Sequence, residues 1–261
     1  MTADRVARSI PDGAEALEIA GISDRGPVRT QNQDVWDAEV GPDGTTAVLV
    51  LADGMGGHKG GLESADAAVL GAMSVLTGSG PDADPPDTLR RAVARANEAV
   101  AVVREHIGGN PGTTLVLAII GATHAWIANV GDSRAYLIRG TAVTQLTDDH
   151  SWAAGQVRAG SLDAAEARHH PKRNLIERAV MGDTVEADVF EVDAQAGDVL
   201  LLCSDGLWEP LADSALGAVI ASPDALEVAL TRACDAALAG GGTDNVTMVA
   251  ARWLPSPSAT V

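Results

Sequence analysis

Two cysteines are all that the 261 residues contain. Neither Cys203 nor Cys234 stands in a CxxC pair or beside clustered histidines, which argues against a zinc cluster or a thioredoxin-like redox centre. Cys203 falls in an apolar, strand-like run and Cys234 in a helical stretch, so both read as small buried hydrophobes. Aromatic residues make up 3% of the chain. A core must therefore be assembled from Ala, Val, Leu and Ile, and there is no aromatic platform on which bases could stack. Basic residues are scarce as well: 18 Lys and Arg face 36 Asp and Glu, for a formal charge of -18. Such a surface repels nucleic acid and anionic membranes, which both require a basic footprint. It leaves room for a cation site or a basic partner. Long hydrophobic runs are missing too. The longest, residues 115–122, is interrupted by Gly121 and is far shorter than the roughly 20 residues that span a bilayer. The first residues, Met1-Thr2-Ala3-Asp4-Arg5, lack the apolar stretch of a secretory signal. The expectation is a soluble cytoplasmic protein with no nucleic-acid or membrane partner.

What is present is apolar bulk, 46% of the residues, enough for a substantial core. Residues 1–16 are polar, hold Pro11-Asp12-Gly13 and read as a loose leader. Strands are expected at 17–23 and 45–52, the second apolar without alternation and hence covered on both faces. An Ala-rich helix follows at 63–76 and a Pro/Asp loop at 79–87. The clearest element comes next. Leu89, Val93, Ala96, Val100, Val103 and Ile107 recur at steps of four and three, which lines one face of an α-helix. Asp87 is its expected N-cap, and Gly108-Gly109 stops it. Further strands are expected at 113–120, 123–130, 134–139, 185–192, 199–203 and 243–253, and helices at 213–221 and 224–239. Residues 151–174 form a polar, Ala-rich segment between them. Amphipathic helices laid over β layers define a single α+β domain over 17–254, followed by a tail at 255–261. The pattern is compatible with one sheet or two, and no internal repeat is present.

Aspartate recurs at the strand ends. Three predicted strands end in Asp beside Gly, at Asp53-Gly54, Gly131-Asp132 and Asp205-Gly206, and Asp244 opens the last strand. One Asp-Gly after a strand is above all a turn signal. Several carboxylates held by rigid elements and converging on a cleft would instead make a site for hard cations, which prefer oxygen ligands.

In chain order, the segments Ser23-Asp24-Arg25-Gly26, Arg29, Asn32-Gln33-Asp34, Asp53-Gly54-Met55-Gly56-Gly57-His58, Gly112-Thr113-Thr114, Asn129-Val130-Gly131-Asp132-Ser133-Arg134, Asp149-His150-Ser151, Ser204-Asp205-Gly206-Leu207 and Gly242-Thr243-Asp244-Asn245 cover nearly the whole chain. This ordered series resembles the metal-dependent protein phosphatases, the type 2C serine/threonine phosphatases, and in particular their compact bacterial members. The resemblance implies a four-layer α/β/β/α sandwich of two mainly antiparallel sheets, with the metal site in a cleft at one end. It implies two core Mn²⁺ or Mg²⁺ ions bridged by Asp53, with Gly54 offering its carbonyl. Asp205 and Asp244 would hold one of those ions, Asp34 would act through metal-bound water, and Asp132 with Asp205 would serve a weaker third ion. Arg29 would grip the substrate phosphate.

The residue types suit that chemistry on their own terms. Two bridging cations lower the pKa of a shared water into a nucleophile at neutral pH, and an arginine fork binds phosphate oxygens in pairs. The implied function is hydrolysis of phosphoserine and phosphothreonine on phosphorylated proteins, opposing a serine/threonine kinase. Met55 stands where many eukaryotic relatives carry a histidine, so leaving-group protonation is unassigned, with His58 three residues on. Gln33 replaces a common acid, and Leu62 another. His106 suits a helix end, His124 starts a strand, and His169-His170 read as solvated. Residues 151–174 correspond to a flap near the active site, made basic by Arg158, Arg168, Lys172 and Arg173, with Trp152 as an anchor in the core. Two other functions compete: a catalytically inactive phosphoprotein-binding regulatory relative, and a two-metal nuclease or nucleotide phosphatase. The presence of Asp34, Asp53, Asp205 and Asp244 together weighs against the first, and the charge of -18 against the second.

Overall fold

Residues 47–55 show why the chain folds in layers. Leu49 and Leu51 face a cluster with Val116, Ile127, Leu200 and Val249. Their neighbours Val50 and Ala52 face the opposite way, toward Ala65, Val69, Leu89 and Val93. A strand with apolar side chains on both faces must be covered twice, and here one cover is a second sheet and the other a helix pair.

The protein, seen in a computed structural model, is described over residues 5–10, 16–41, 44–56, 60–80, 83–163, 166–167 and 170–255. One sheet runs in the order β1 (Arg5–Ile10), β2 (Leu17–Asp24), β12 (Val246–Trp253), β11 (Val199–Cys203), β8 (Arg134–Arg139) and β9 (Ala142–Gln145). The other runs β10 (Asp188–Asp193), β7 (His124–Val130), β6 (Leu115–Ile120), β4 (Ala47–Met55) and β3 (Asp34–Val40), and β5 (Gly112–Thr113) extends the end of β4. Neighbouring strands pair antiparallel throughout. Helices α1 (Gly61–Leu76) and α2 (Pro85–Ile107) cover the second sheet. The first sheet is covered by α5 (Asp213–Ile220) and α6 (Leu226–Ala239), whose Leu216, Ile220, Leu226 and Leu230 meet Ile22, Tyr136, Leu201 and Met248. Two short helices, α3 (Trp152–Arg158) and α4 (Asp205–Trp208), lie in the connections. The four-layer α/β/β/α arrangement matches the expectation. Among the described residues, no helix is long and apolar enough to cross a membrane.

Local differences have identifiable causes. Helix α2 is capped by Asp84, not Asp87: the Asp84 carboxylate accepts the Asp87 backbone N–H at 3.0 Å. Pro85 and Pro86 fill the first helical positions, where a missing N–H costs nothing, so the helix begins nearly a turn earlier than its apolar periodicity. Leu89, Val93, Ala96 and Val100 are buried, whereas Ile107 in the last turn is exposed. Arg5–Ile10, expected within a loose leader, form an edge strand along β2. Arg5 holds it there by donating to Asp24 and Asp235, both at 2.7 Å. Strands β3 and β9 and helices α3 and α4 are too short or too mixed to show a period, and the expected strand at 185–192 is confined to β10.

The two sheets meet without a gap at Gly21 of β2. A Cβ there would fall 2.5 Å from the indole of Trp36 on β3, which is held from outside by the Arg8 guanidinium, 4.8 Å from the ring centroid. Gly21→Ala is therefore expected to overpack the interface and cost about 1–3 kcal/mol. Urea unfolding checks this through a lower midpoint at unchanged slope.

Candidate active site

The carboxylates singled out from the sequence gather at one end of the sandwich because several chain segments turn there. Asp34 opens β3 directly opposite Asp53 on β4. Strand β4 does not turn at Asp53-Gly54 but continues, its Gly54 and Met55 pairing with Thr113 and Gly112. Asp132 follows β7 by way of Gly131, whose φ of 116° is open to glycine and strained for other residues. Asp205 is the first residue of α4, just beyond β11. Asp244 lies in the loop before β12, which begins two residues later, at Val246, and not at 243 as expected. Glycine lets these pieces close up: a Cβ on Gly206 would sit 1.9 Å from the Asn245 carbonyl oxygen. The residue beside Asp205 is thus pressed onto the residue beside Asp244.

A buried hydroxyl network fixes Asp34. Ser204 Oγ donates to its Oδ2 at 2.7 Å, and the Thr247 N–H donates to Ser204 Oγ at 3.1 Å. Ser23 and Thr247 share a 2.7 Å hydroxyl contact, and Asn32 donates to Ser23. Asp53 is fixed through its backbone, its N–H donating to Thr114 Oγ1 and its carbonyl accepting from the Thr113 hydroxyl and the Thr114 N–H. Asp132 and Asp205 are joined by Trp208 of α4, whose indole N–H donates to the Asp132 carbonyl at 3.1 Å. Above that indole, 3.6 Å from its centroid, lies the guanidinium of Arg134, which also forms a two-pronged bond to Asp149 at 2.9 and 2.7 Å.

Electrostatically the site is under tension. Burial pushes the Asp34 carboxyl up to about 6, with its hydrogen bonds pulling the other way and Asp244 adding repulsion. Burial, then Asp149, pushes Asp132 up to about 7. Asp53 and Asp205 are also raised well above the usual carboxylate range, by burial first and then by the surrounding carboxylates. For Asp53 those neighbours are Asp34, Asp205, Asp132 and Asp244; for Asp205 they include Asp132, Asp244, Glu209 and Asp34. All five aspartates therefore share one electrostatic environment.

Arg29 supplies positive charge to it. Its Nη2 donates to Asp244 Oδ2 at 2.5 Å while half of its side chain stays exposed. Asp205 and Asp53 contribute to holding the guanidinium charged. The loop carrying Arg29 is stapled by Asn245. The Asn245 amide donates to the carbonyls of Arg25 and Gln31, and its oxygen accepts the Gln33 N–H, at 2.8, 3.1 and 2.9 Å. Sequence reasoning assigned no role to Asn245, Ser204, Arg134 or Trp208. Asn245 and Ser204 adjoin a candidate ligand in the chain, which was the signal available.

An oxygen-only donor set, crowded and short of positive charge, suits hard cations better than soft ones. Among the described residues, no trio of His, Cys, Asp or Glu already stands at ion-holding separation. Gly54 lies among these groups, its N–H donating to the Gln33 carbonyl at 3.1 Å. His58, Arg168 and His169 lie outside the described residues. Within the 151–174 segment, Ser151 caps α3. Arg158 donates to the Asp149 carbonyl at 3.0 Å. Trp152 meets the His170 ring at a tilt of 33°, centroids 4.6 Å apart, beneath the Lys172 ammonium instead of anchoring in the core, because the segment supplies its own partners. Arg173 reaches Glu209 at 3.2 Å.

Comparison with known proteins agrees with this fold. A family model described as Protein phosphatase 2C matches residues 28–236. The chain is 39% identical over 237 residues to the serine/threonine protein phosphatase PstP of Mycobacterium tuberculosis, an alignment that covers 90% of this chain and 45% of that protein. It is 35% identical over 234 residues to the serine/threonine phosphatase stp of Listeria monocytogenes, covering 87% of this chain and 92% of the relative. The chain thus spans less than half of the mycobacterial relative and nearly all of the listerial one. The crystal structure of the PstP catalytic domain in complex with two manganese ions superposes with a TM-score of 0.80 at 36% identity, over 92% of this chain and 99% of that chain.

The raised carboxyls make stability depend on pH. An unfolded aspartate titrates near 3.9, while native Asp34 and Asp132 titrate near 6 and 7. Between those values the native state holds protons that the unfolded chain has released. The resulting stabilisation is complete below about pH 4 and is lost as pH rises through 7. With a chelator present, the melting temperature is expected to fall by roughly 3 °C or more between pH 5.5 and pH 8. Millimolar Mn²⁺ is expected to cancel most of that fall by binding the ionised native state. Thermal melts at the two pH values, with and without Mn²⁺, check both.

Proposed function

The chain belongs to the protein phosphatase 2C family, and we propose that its cleft hydrolyses phosphoserine and phosphothreonine esters on proteins with divalent metal. The observation that carries this reading is the convergence of Asp34, Asp53, Asp132, Asp205 and Asp244 on one cleft, with the Arg29 guanidinium at its mouth. Asp53 would hold both core ions, Gly54 would offer its carbonyl, and Asp205 and Asp244 would hold one of the two. Asp34 would act through water, and Asp132 with Asp205 would serve a weaker third. Mn²⁺ and Mg²⁺ fit this carboxylate set. When bound, the pair would lower the pKa of a shared water and offset the charge of the phosphoryl group.

The chain's own residues perform the rest. Arg29 exchanges one oxyanion for another, leaving Asp244 to grip two phosphate oxygens in a charge-assisted fork that aligns phosphorus for in-line attack. Asn245 keeps the Arg29 loop at a fixed height over the carboxylates, so that exchange is a side-chain movement alone. Ser204 and Thr247 orient Asp34. Met55 has no proton to give, so protonation of the leaving oxygen falls to another group. Residues 151–174 are proposed as a mobile flap that selects protein substrates. Its Lys172 offers positive charge to acidic sequence, whereas Arg158 is engaged with the Asp149 carbonyl and Arg173 with Glu209. Opposition to a serine/threonine kinase and a cytoplasmic setting belong to the same proposal. Two buried, unpaired thiols are compatible with a reducing compartment.

Phosphate release from a phosphothreonine peptide and from ATP, with Mn²⁺ or EDTA, tests the reading. Release from the peptide with Mn²⁺, little from ATP and none in EDTA is expected; equal release from ATP would redirect it toward nucleotides. Asp53→Asn or Asp205→Asn should bring turnover of p-nitrophenyl phosphate to background, since each removes a ligand of the ion pair.

Arg29→Ala should lower kcat/KM by about tenfold to a hundredfold, the worth of a charged hydrogen bond of about 1.5–3 kcal/mol. Calorimetric Mn²⁺ affinity should be unchanged or higher, because the substitution frees Asp244. A loss of metal affinity instead would make Arg29 structural.

A further inference from the structure

His150 is almost fully buried, yet the proposed chemistry does not use it. It meets the turn that carries Asp132 through two hydrogen bonds. Its backbone N–H donates to the Gly131 carbonyl at 3.0 Å, and the Gly131 N–H donates back to His150 Nδ1 at 3.0 Å. Nδ1 therefore carries the lone pair, and the proton resides on Nε2. That Nε2–H points at Asp188 Oδ2, 3.0 Å away on the first residue of β10. The opposite tautomer would set an N–H against the Gly131 N–H and a lone pair against the Asp188 carboxylate. Arg178 Nη1 holds the other oxygen of Asp188 at 2.6 Å; it also lies 3.2 Å from His150 Nε2, where two N–H groups meet and no hydrogen bond to the ring is made, so its bond is to Asp188. Burial, which disfavours the imidazolium, agrees with a neutral ring.

The backbone of His150 extends the connection. Its carbonyl accepts the Glu177 N–H at 2.8 Å, just past the far foot of the 151–174 segment. The near foot begins at the next residue, where Ser151 bridges to Ile176 and caps α3. The preceding residue, Asp149, binds Arg134 over Trp208, the donor to the Asp132 carbonyl. The Gly131-Asp132 turn is thus gripped on both sides from the base of one segment.

We propose that His150 is a positioning residue: its Nδ1, oriented by Asp188, fixes the Gly131-Asp132 turn and ties the Asp132 carboxylate to both feet of the 151–174 segment. The ring touches neither substrate nor the proposed ions, and acts through the Gly131 amide. The consequence for metal rests on the phosphatase reading, but the clasp itself does not. Asp132 would be presented for the weaker ion only while the feet are closed, so opening them and losing that ion would be one event.

Three variants of the full chain separate the ring's two ends. Asn places an acceptor near the position of Nδ1 but does not reach Asp188, Gln reaches toward Asp188 but leaves Gly131 without its acceptor, and Ala does neither. The first readout is hydrogen exchange at the Gly131 amide in chelator, which needs no activity. His150→Gln and His150→Ala are expected to exchange roughly tenfold faster than wild type, and His150→Asn within about threefold of it, as one lost hydrogen bond implies. In the same two variants, trypsin should cut faster at Lys172 and Arg173. Calorimetry with Mn²⁺ should show the weakest binding step lost and the tighter steps kept. Asp188→Asn, which retains an acceptor for Nε2–H, should resemble wild type.

Wild-type exchange at Gly131 in all three variants would overturn the clasp, as would Asn failing as badly as Ala. Fast exchange with the weak Mn²⁺ step intact would overturn the link to Asp132. Failure of wild type to release phosphate would sink the phosphatase reading while leaving the exchange result standing.

Discussion

Repulsion among buried carboxylates is the constraint around which the molecule is built. Two unit charges about 5 Å apart repel by roughly 3 kcal/mol at an effective dielectric near 20. Beyond the cost of burial itself, Asp53 is raised by four carboxylate neighbours, Asp34, Asp205, Asp132 and Asp244. A flexible chain would relieve this by moving apart. Here Asp34, Asp53 and Asp205 are attached to elements packed on the core, and Asp132 and Asp244 to turns held by hydrogen bonds, so the strain is relieved by proton uptake or by a counter-charge. Arg29 and Arg134 are counter-charges that the chain supplies itself, and half of the Arg29 side chain is exposed.

Rigidity at that end comes from polar side chains, because the apolar core lies behind it. Ser23, Thr247 and Ser204 form a continuous donor path across the space between the two sheets to reach Asp34 on the other side. Asn245 ties the Arg29 loop to the start of β12. Arg134 and Trp208 hold Asp132 and Asp205 against one another. Buried groups of this kind are stabilising only when their partners are complete. Within the network Asn129 Oδ1 stands without a partner, while its amide still donates to the carbonyls of Gly131 and Asp148.

Charge is distributed with the same economy. In a chain of net charge -18, most arginines are taken up in ion pairs away from the cleft, as Arg139 is by Asp198 and Arg252 by Glu18. Arg29 lies instead beside the converging carboxylates, where it pairs with Asp244. In an acidic protein any anionic group that approaches needs local positive charge, because the field is otherwise repulsive.

The sequence by itself determined the layered α+β class, the periodic face of α2 and four of the five aspartates, because each has a local signature: apolar runs, a 3.6-residue period, and Asp beside Gly or at a strand start; Asp34 has none and came only from the order of motifs. It also carried the order of motifs from which the family could be read. Tertiary structure alone decided that Asp34 faces Asp53 across β3 and β4, that Arg5–Ile10 join the sheet, and that Trp152 packs against its own segment. It alone decided the partners of Asn245, Ser204 and His150. Those contacts join residues distant along the chain, as Asn245 with Gln33 and Ser204 with Asp34. A polar side chain has the same local pattern whether it faces solvent or a partner two hundred residues away, and only closing the two sheets onto each other selects between them.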